Sequence, residues 1–154
     1  MAQADNQAVV LLRRLRDLEE QRSNWETHWQ EVADYMRPRK ADITKSRTPG
    51  QKRTELIFDG TAIHAAEMLS ASLHGMLTNM STPWFTLRYT EPSLEDDDIA
   101  KEWLELAEQT MYQAFQRSNF QEQVHEMYDD LVCFGTAIMF VEKDETTSYR
   151  FSTR

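Results

Sequence analysis

Cysteine is nearly absent from this chain. Cys133 is the single one in 154 residues, so no internal disulfide can form, and a reducing compartment is the natural setting. Long apolar runs are missing as well. None approaches the roughly 20 residues a membrane helix needs, and the N-terminus lacks a charged n-region followed by an apolar h-region. A soluble protein made in the cytoplasm is therefore expected, without a membrane partner. The sequence contains no GxSxG, no P-loop and no GxGxxG, which leaves nucleotide chemistry and serine hydrolysis without a foothold. Excess positive charge is also lacking. A net charge of -9 and a pI near 4.9 argue against a general nucleic-acid coat, which would need clustered Lys and Arg.

What is present is a polar chain of one-domain length with long periodic stretches. Leu11, Leu15, Leu18, Arg22, Trp25, Trp29, Val32 and Met36 alternate four and three residues apart, which predicts a helix from Ala4 to Met36. The seam has no regular charge pairing beside it, so the buried face of one long helix is favoured over a coiled coil. Arg37-Pro38 ends the helix and opens the one basic tract, residues 37–55. Arg37, Arg39, Lys40, Lys45, Arg47, Lys52 and Arg53 stand there beside Asp42, with a turn at Pro49-Gly50. A mobile surface connector is the favoured reading, with contact to DNA phosphates or an acidic partner as the sharper alternative. No aromatics are interleaved to stack on bases.

The stretch from Phe58 to Tyr89 is the centre of the pattern. Asp59 is placed to cap a helix on which Ala62, Ala66, Leu69, Leu73 and Met76 recur. Small residues, including Ala65, Ser70 and Gly75, clear its other sides for close neighbours. Pro83 follows a turn, and Phe85, Leu87 and Tyr89 then alternate with Thr86 and Arg88, the period of a half-buried strand into which Trp84 and Phe85 bring core packing. Ser93 with Asp96 has the shape of a capping box, and the Glu95–Asp98 cluster suits a helix N-terminus better than a calcium loop. Ile99, Trp103, Leu106 and Ala114 mark a helix to Arg117, and Phe120 to Leu131 mark another that Gly135 can close. Ala137 to Val141 and Tyr149 to Phe151 predict a hairpin whose turn covers Glu142 to Thr147. Its last strand stops in mid-pattern with an exposed edge, as expected for the N-terminal part of a longer protein.

Candidate chemistry is sparse. Glu122-x-x-His125 and His64-x-x-Glu67 have helical metal-site spacing but do not recur as the paired set such a site needs. His28, His74 and Cys133 read as packed side chains, and no catalytic residue, metal or cofactor is assigned. The residues singled out are structural: Trp25, Trp29, Asp59, Ala66, Leu69, Leu73, Gly75, Pro83, Trp84, Phe85, Trp103 and Gly135. The fold class expected is α+β and mainly helical: a long N-terminal helix packed with three more, a short strand and a C-terminal hairpin.

Trp25 and Trp29 with VADYMRPR (Val32 to Arg39), then IFDGTAIHAAEMLSASLHGMLT (Ile57 to Thr78), PWFTL (Pro83 to Leu87), a Trp-containing helix and FGTA occur in linked order. This order resembles the N-terminal region of head-to-tail connector proteins, the portal proteins of short-tailed, T7-like bacteriophages. The resemblance covers nearly the whole chain. It implies that residues 1–154 are the N-terminal part of a wing-like domain, with stem, clip and tunnel elements lying elsewhere. It also implies a structural, non-enzymatic subunit of a ring of twelve at a capsid vertex of the virion, assembled in the host cytoplasm. Double-stranded DNA would pass through the ring during packaging and ejection, and terminase, capsid and tail proteins would be its partners. The reading of another class is a helical adaptor or scaffold module that binds a partner helix through the Leu11–Met36 seam.

Overall fold

The computed structural model describes residues 2–94, 96–143 and 149–153. Among them are four α-helices, two one-turn 3-10 helices at Pro38–Lys40 and Pro92–Leu94, and one two-stranded antiparallel sheet. The fold is mainly helical α+β. The helices are α1 (Ala2–Met36), α2 (Thr61–Leu77), α3 (Asp98–Arg117) and α4 (Phe120–Phe134); the strands are β1 (Met139–Glu142) and β2 (Arg150–Thr153). The chain divides into two compact units, Met1–Ile63 and His64–Arg154, taken here in turn.

In the first unit α1 does not bury the seam that its periodicity marks out. Leu11, Leu15, Leu18 and Trp25 are exposed, and Trp29, Val32 and Met36 are half-buried. The face that is buried carries Gln30, Ala33 and Asp34, spaced three and four residues apart and therefore on one side of the helix. The basic tract folds back over this polar face, with Ala41 fully buried against it. Trp25 and Trp29 pack on each other one turn apart, ring centroids 6.4 Å, yet Trp25 stays 60% exposed. Its expected place in the core is corrected accordingly. The cause is that the tract covers the adjoining face and leaves the tryptophan edge open. Near the end of the unit Asp59 Oδ1 accepts from the amide of Thr61, the first residue of α2, at 3.2 Å. Hydrogen bonds from the Thr61 side chain and backbone hold its carboxyl below the usual range.

The second unit is built on aromatic packing. Phe120, Val124 and Tyr128 of α4 and Phe151 of β2 form the buried cluster, with Leu73, Trp84, Phe115, Met127 and Met139 packed around it. Trp84 lies parallel to Phe120 at 6.0 Å, Phe115 stacks on Phe120 at 4.4 Å, and Phe151 meets Phe120 edge-on at 5.1 Å. α3 begins at Asp98 with Asp97 as its cap, whose Oδ1 accepts from the Ile99 amide at 2.9 Å. The start expected at Ser93 instead holds the one-turn helix Pro92–Leu94. Gly135 closes α4 in the left-handed conformation, φ 72°, its amide donating to Leu131 O.

Two expectations change in this unit. The segment from Pro83 to Tyr89 joins no sheet, and side chains of α3 take the role of a neighbouring strand. The last strand is not a bare edge either. β1 and β2 pair with Val141 opposite Phe151. On the other side of β2, Asn119 Nδ2 donates to Phe151 O at 2.8 Å and Asn119 Oδ1 accepts from Phe151 N at 2.9 Å, as a peptide group would. Gln123 Oε1 then accepts from Thr153 N at 2.7 Å. These amides occupy the edge on which another strand would add. The turn expected over Glu142 to Thr147 falls mostly on residues 144–148, which lie outside the described residues.

Helix α2 buries little of its surface. Ala66 and Ser70 are buried, whereas Met68, Leu69, Met76 and Leu77 are exposed. Leu69 was expected in the core and faces outward because α2 turns its Ser70 side toward α4, where the hydroxyl donates to the Asp129 carboxylate.

Candidate functional site

Some of the residues nominated by sequence are held in two constructions, one in each unit. The first is a clamp that α1 closes on the basic tract. Gln30 and Asp34, one turn apart and both 4% exposed, supply it. Gln30 Oε1 accepts from the amides of Ile43 (3.1 Å), Thr44 (2.9 Å) and Lys45 (3.3 Å), and from Thr44 Oγ1 at 3.3 Å. Its Nε2 donates to Ala41 O at 2.8 Å and Asp34 Oδ1 at 3.0 Å. Asp34 in turn receives Arg47 Nη2 at 2.8 Å and Lys45 Nζ at 2.5 Å. Burial works to raise the Asp34 pKa, but the hydrogen bonds from Lys45, Arg47 and Gln30 overcome it and hold the carboxyl below its ordinary value. The hydrogen bond to Asp34 likewise raises the Arg47 guanidinium above its usual value.

A second ring of contacts surrounds Asp42. Arg47 Nη1 donates to Ala41 O at 2.9 Å and to Asp42 Oδ1 at 3.2 Å, and Arg53 reaches Asp42 Oδ2 at 2.5 Å and Arg39 O at 2.9 Å. The tract is thus tied down at several points, contrary to the mobile connector expected. Of the seven cations nominated for DNA or partner contact, Lys45, Arg47 and Arg53 already face carboxylates, and the Arg47 side chain is only 12% exposed. Arg39 and Lys52 lie on the surface, and Arg37 and Lys40 are half-buried.

The second construction is an aromatic strap in the second unit. The Tyr112 hydroxyl accepts from the amides of Trp84 (2.7 Å) and Phe85 (2.9 Å) and stands 3.0 Å from Phe85 O, to which it donates. One turn back, Glu108 Oε1 accepts from Leu87 N at 2.5 Å. The Phe85 ring stacks on Tyr112 at 4.5 Å and Trp84 reaches into the core cluster. The Pro83–Leu87 motif is therefore fixed to α3 through both its backbone and its rings. Among the other nominated residues Ala66 is buried, Trp29, Leu73, Trp84 and Phe85 are half-buried, and Asp59, Gly75, Pro83 and Gly135 are exposed. Trp103, expected in the core, is 60% exposed on the outer face of α3, where Tyr89 stacks against it at 6.4 Å.

Neither construction is arranged for bond-making chemistry. Among the described residues no group of three or more His, Cys, Asp or Glu could hold a metal ion. His74 meets His125 edge-on at 5.5 Å and Tyr128 at 6.1 Å, and burial followed by the His125 charge pushes its imidazole below the ordinary value. An open groove of about 370 Å³ between Leu87–Tyr89, Leu94 and the Lys101–Leu104 turn offers two cations and a tyrosine, without a nucleophile–base pair. No helix among the described residues is long and apolar enough to cross a membrane. Gln30, Tyr112, Asn119 and Gln123, which hold the extended segments in place, were not nominated from sequence. Their pattern carried no signal beyond the Gln30–Asp34 spacing itself.

The family model for bacteriophage head to tail connecting proteins matches residues 9–154. The chain belongs to that family. As a connector-family chain it is 35% identical over 136 residues to the probable portal protein of Bordetella phage BPP-1, covering 88% of this chain and 24% of that protein. It is 31% identical over 143 residues to the portal protein of Salmonella phage epsilon15, covering 92% and 26% respectively. The connector chain therefore spans about a quarter of the length of these curated relatives. Both the clamp and the aromatic strap lie inside the matched residues.

Proposed function

We propose that this chain is a wing-like part of a portal subunit, a structural component of the ring through which double-stranded DNA is packaged and ejected. The observation that carries the reading is the family match over residues 9–154, joined by two relatives named as portal proteins. The construction of the chain suits a static role. Among the described residues, Gln30, Asp34, Glu108, Tyr112, Asn119 and Gln123 hold extended segments against helices. A ring of twelve copies at one capsid vertex is proposed, with terminase, capsid and tail proteins as its partners and the host cytoplasm as its place of assembly.

Within this reading the basic tract serves the subunit's own architecture. Asp34 and Asp42 compensate Lys45, Arg47 and Arg53, so a DNA contact would be left to the exposed Arg39 and Lys52. The acidic balance of the chain suits a channel that DNA must traverse without sticking. Quantitative mass spectrometry of purified virions tests the proposal. The chain should be found at a low, fixed copy number beside the abundant shell protein. Its absence from virions, or a copy number matching the shell protein, would overturn the reading.

A further inference from the structure

Two exposed faces of this chain are complementary to each other in both apolarity and charge. The first is on the N-terminal part of α1, where Leu11, Leu12 and Leu15 are 66%, 56% and 51% exposed. From Asn6 to Arg16 this stretch carries Arg13, Arg14 and Arg16 and no carboxylate. The second is the outer face of α3, where Ile99, Trp103 and Leu106, at positions i, i+4 and i+7, are 79%, 60% and 62% exposed. Among the described residues on and beside it, Glu91, Asp96, Asp97, Asp98, Glu102 and Glu105 are exposed carboxylates against the single Lys101.

Each face alone is an apolar stripe of a kind that soluble surfaces seldom leave open. Together they have the features of the two sides of one contact: a basic amphipathic helix and an acidic seam centred on a tryptophan, the residue type enriched at binding hot spots. We propose that residues 9–16 of α1 in one copy dock on the Ile99–Trp103–Leu106 face of α3 in the next copy. Because the two patches differ, the contact is head-to-tail. Every copy offers one of each, and repetition about an axis gives a ring when the rotation closes. Only this closure rests on the portal reading; the contact itself rests on the two faces. The apolar residues supply the bulk of the affinity, while the exposed charges set orientation and encounter rate and are weakened by salt.

The test uses two charge-reversed forms of the chain, one with Arg13→Glu, Arg14→Glu and Arg16→Glu, the other with Glu102→Arg and Glu105→Arg. All five positions are exposed, and circular dichroism checks that both forms keep their helices. Sedimentation velocity at low salt should show the unaltered chain associating as concentration rises, and each reversed form associating at least ~10-fold more weakly. A one-to-one mixture of the two forms should recover association, since the acidic α1 of one then meets the basic α3 of the other. Trp103→Ala should weaken association in the same way without any change of charge. Failure of the unaltered chain to associate, reversed forms that behave like it, or a mixture no stronger than its components would each overturn the proposal. The last result is the one expected if the faces meet within one chain or serve a different partner. In the product of the complete gene, rings that survive both reversals would remove this contact and leave the portal reading standing. Absence of rings alongside a mixture that recovers would do the reverse.

Discussion

Replacing Gln30 with Ala should release the basic tract from α1. The side chain satisfies three consecutive amides, Ile43 to Lys45, and the Ala41 carbonyl, and it also supports Asp34. Hydrogen bonds of this kind contribute about 1 kcal/mol each, and buried groups left without a partner cost more. Water reaches the half-buried amides of residues 43–45 and recovers part of the loss, so the net cost is about 2–3 kcal/mol. That corresponds to a roughly 30- to 150-fold rise in the population in which the tract is detached. Trypsin reads this at Lys45 and Arg47, which are cleavage sites held to Gln30 and Asp34 and become better substrates when the tract opens, whereas the exposed Lys52 serves as the internal reference. The initial cleavage rate after Lys45 and Arg47, taken relative to that after Lys52, should rise by that factor in Gln30→Ala, with helix content nearly unchanged. Gln30→Glu should not rescue it, since a carboxylate beside Asp34 cannot donate to Ala41 O. Equal cleavage rates in the parent and Gln30→Ala would refute the clamp.

Three further outcomes can be checked. Tyr112→Phe keeps the ring stacked on Phe85 and removes the hydroxyl shared by Trp84 and Phe85, so it should cost about 1–3 kcal/mol in chemical denaturation, whereas the deeper truncation Phe120→Ala should cost about 3–5 kcal/mol. Trp103→Ala, on an exposed face, should change stability by less than about 1 kcal/mol in the same assay. His74 has a folded pKa below its ordinary 6.5, so the unfolded chain binds the proton more readily and stability falls as pH drops below 6.5; Asp34 is the opposite type of group, its lowered pKa giving stability that lasts down to about pH 4 and is lost beneath it. Amide protection factors, which are corrected for the pH dependence of intrinsic exchange, should therefore fall in α2 as pH drops below 6.5, while those of residues 43–45 should hold down to about pH 4.

Much of the secondary structure was legible because the periodicities are long and the punctuation is strong. Arg37-Pro38 stops α1, Asp59 opens α2, Gly135 closes α4, and the change of period after Thr136 gives the hairpin. Burial was less legible. The seam from Leu11 to Met36 has the spacing of a core face, but in the first unit the covered face is the polar one with Gln30 and Asp34. Hydrophobic pattern finds apolar residues and cannot find a polar side chain that faces a loop eleven to fifteen residues away. The same limit applies to Phe85, Leu87 and Tyr89, whose alternation is that of a strand. The partners of the Phe85 and Leu87 amides are a phenol and a carboxylate on α3 rather than another strand, and such surrogates leave no mark in local sequence. The cations of the tract were visible as a cluster, but their compensation by Asp34 was not, because Asp34 belongs by position to the helix before it.

The central claim, that this connector-family chain forms part of a portal ring, is tested most directly by electron microscopy of the product of the complete gene. Closed rings of uniform subunit number around a central channel wide enough for a DNA duplex are expected across a range of salt and protein concentration. Discrete monomers or open, irregular aggregates under all those conditions would contradict it.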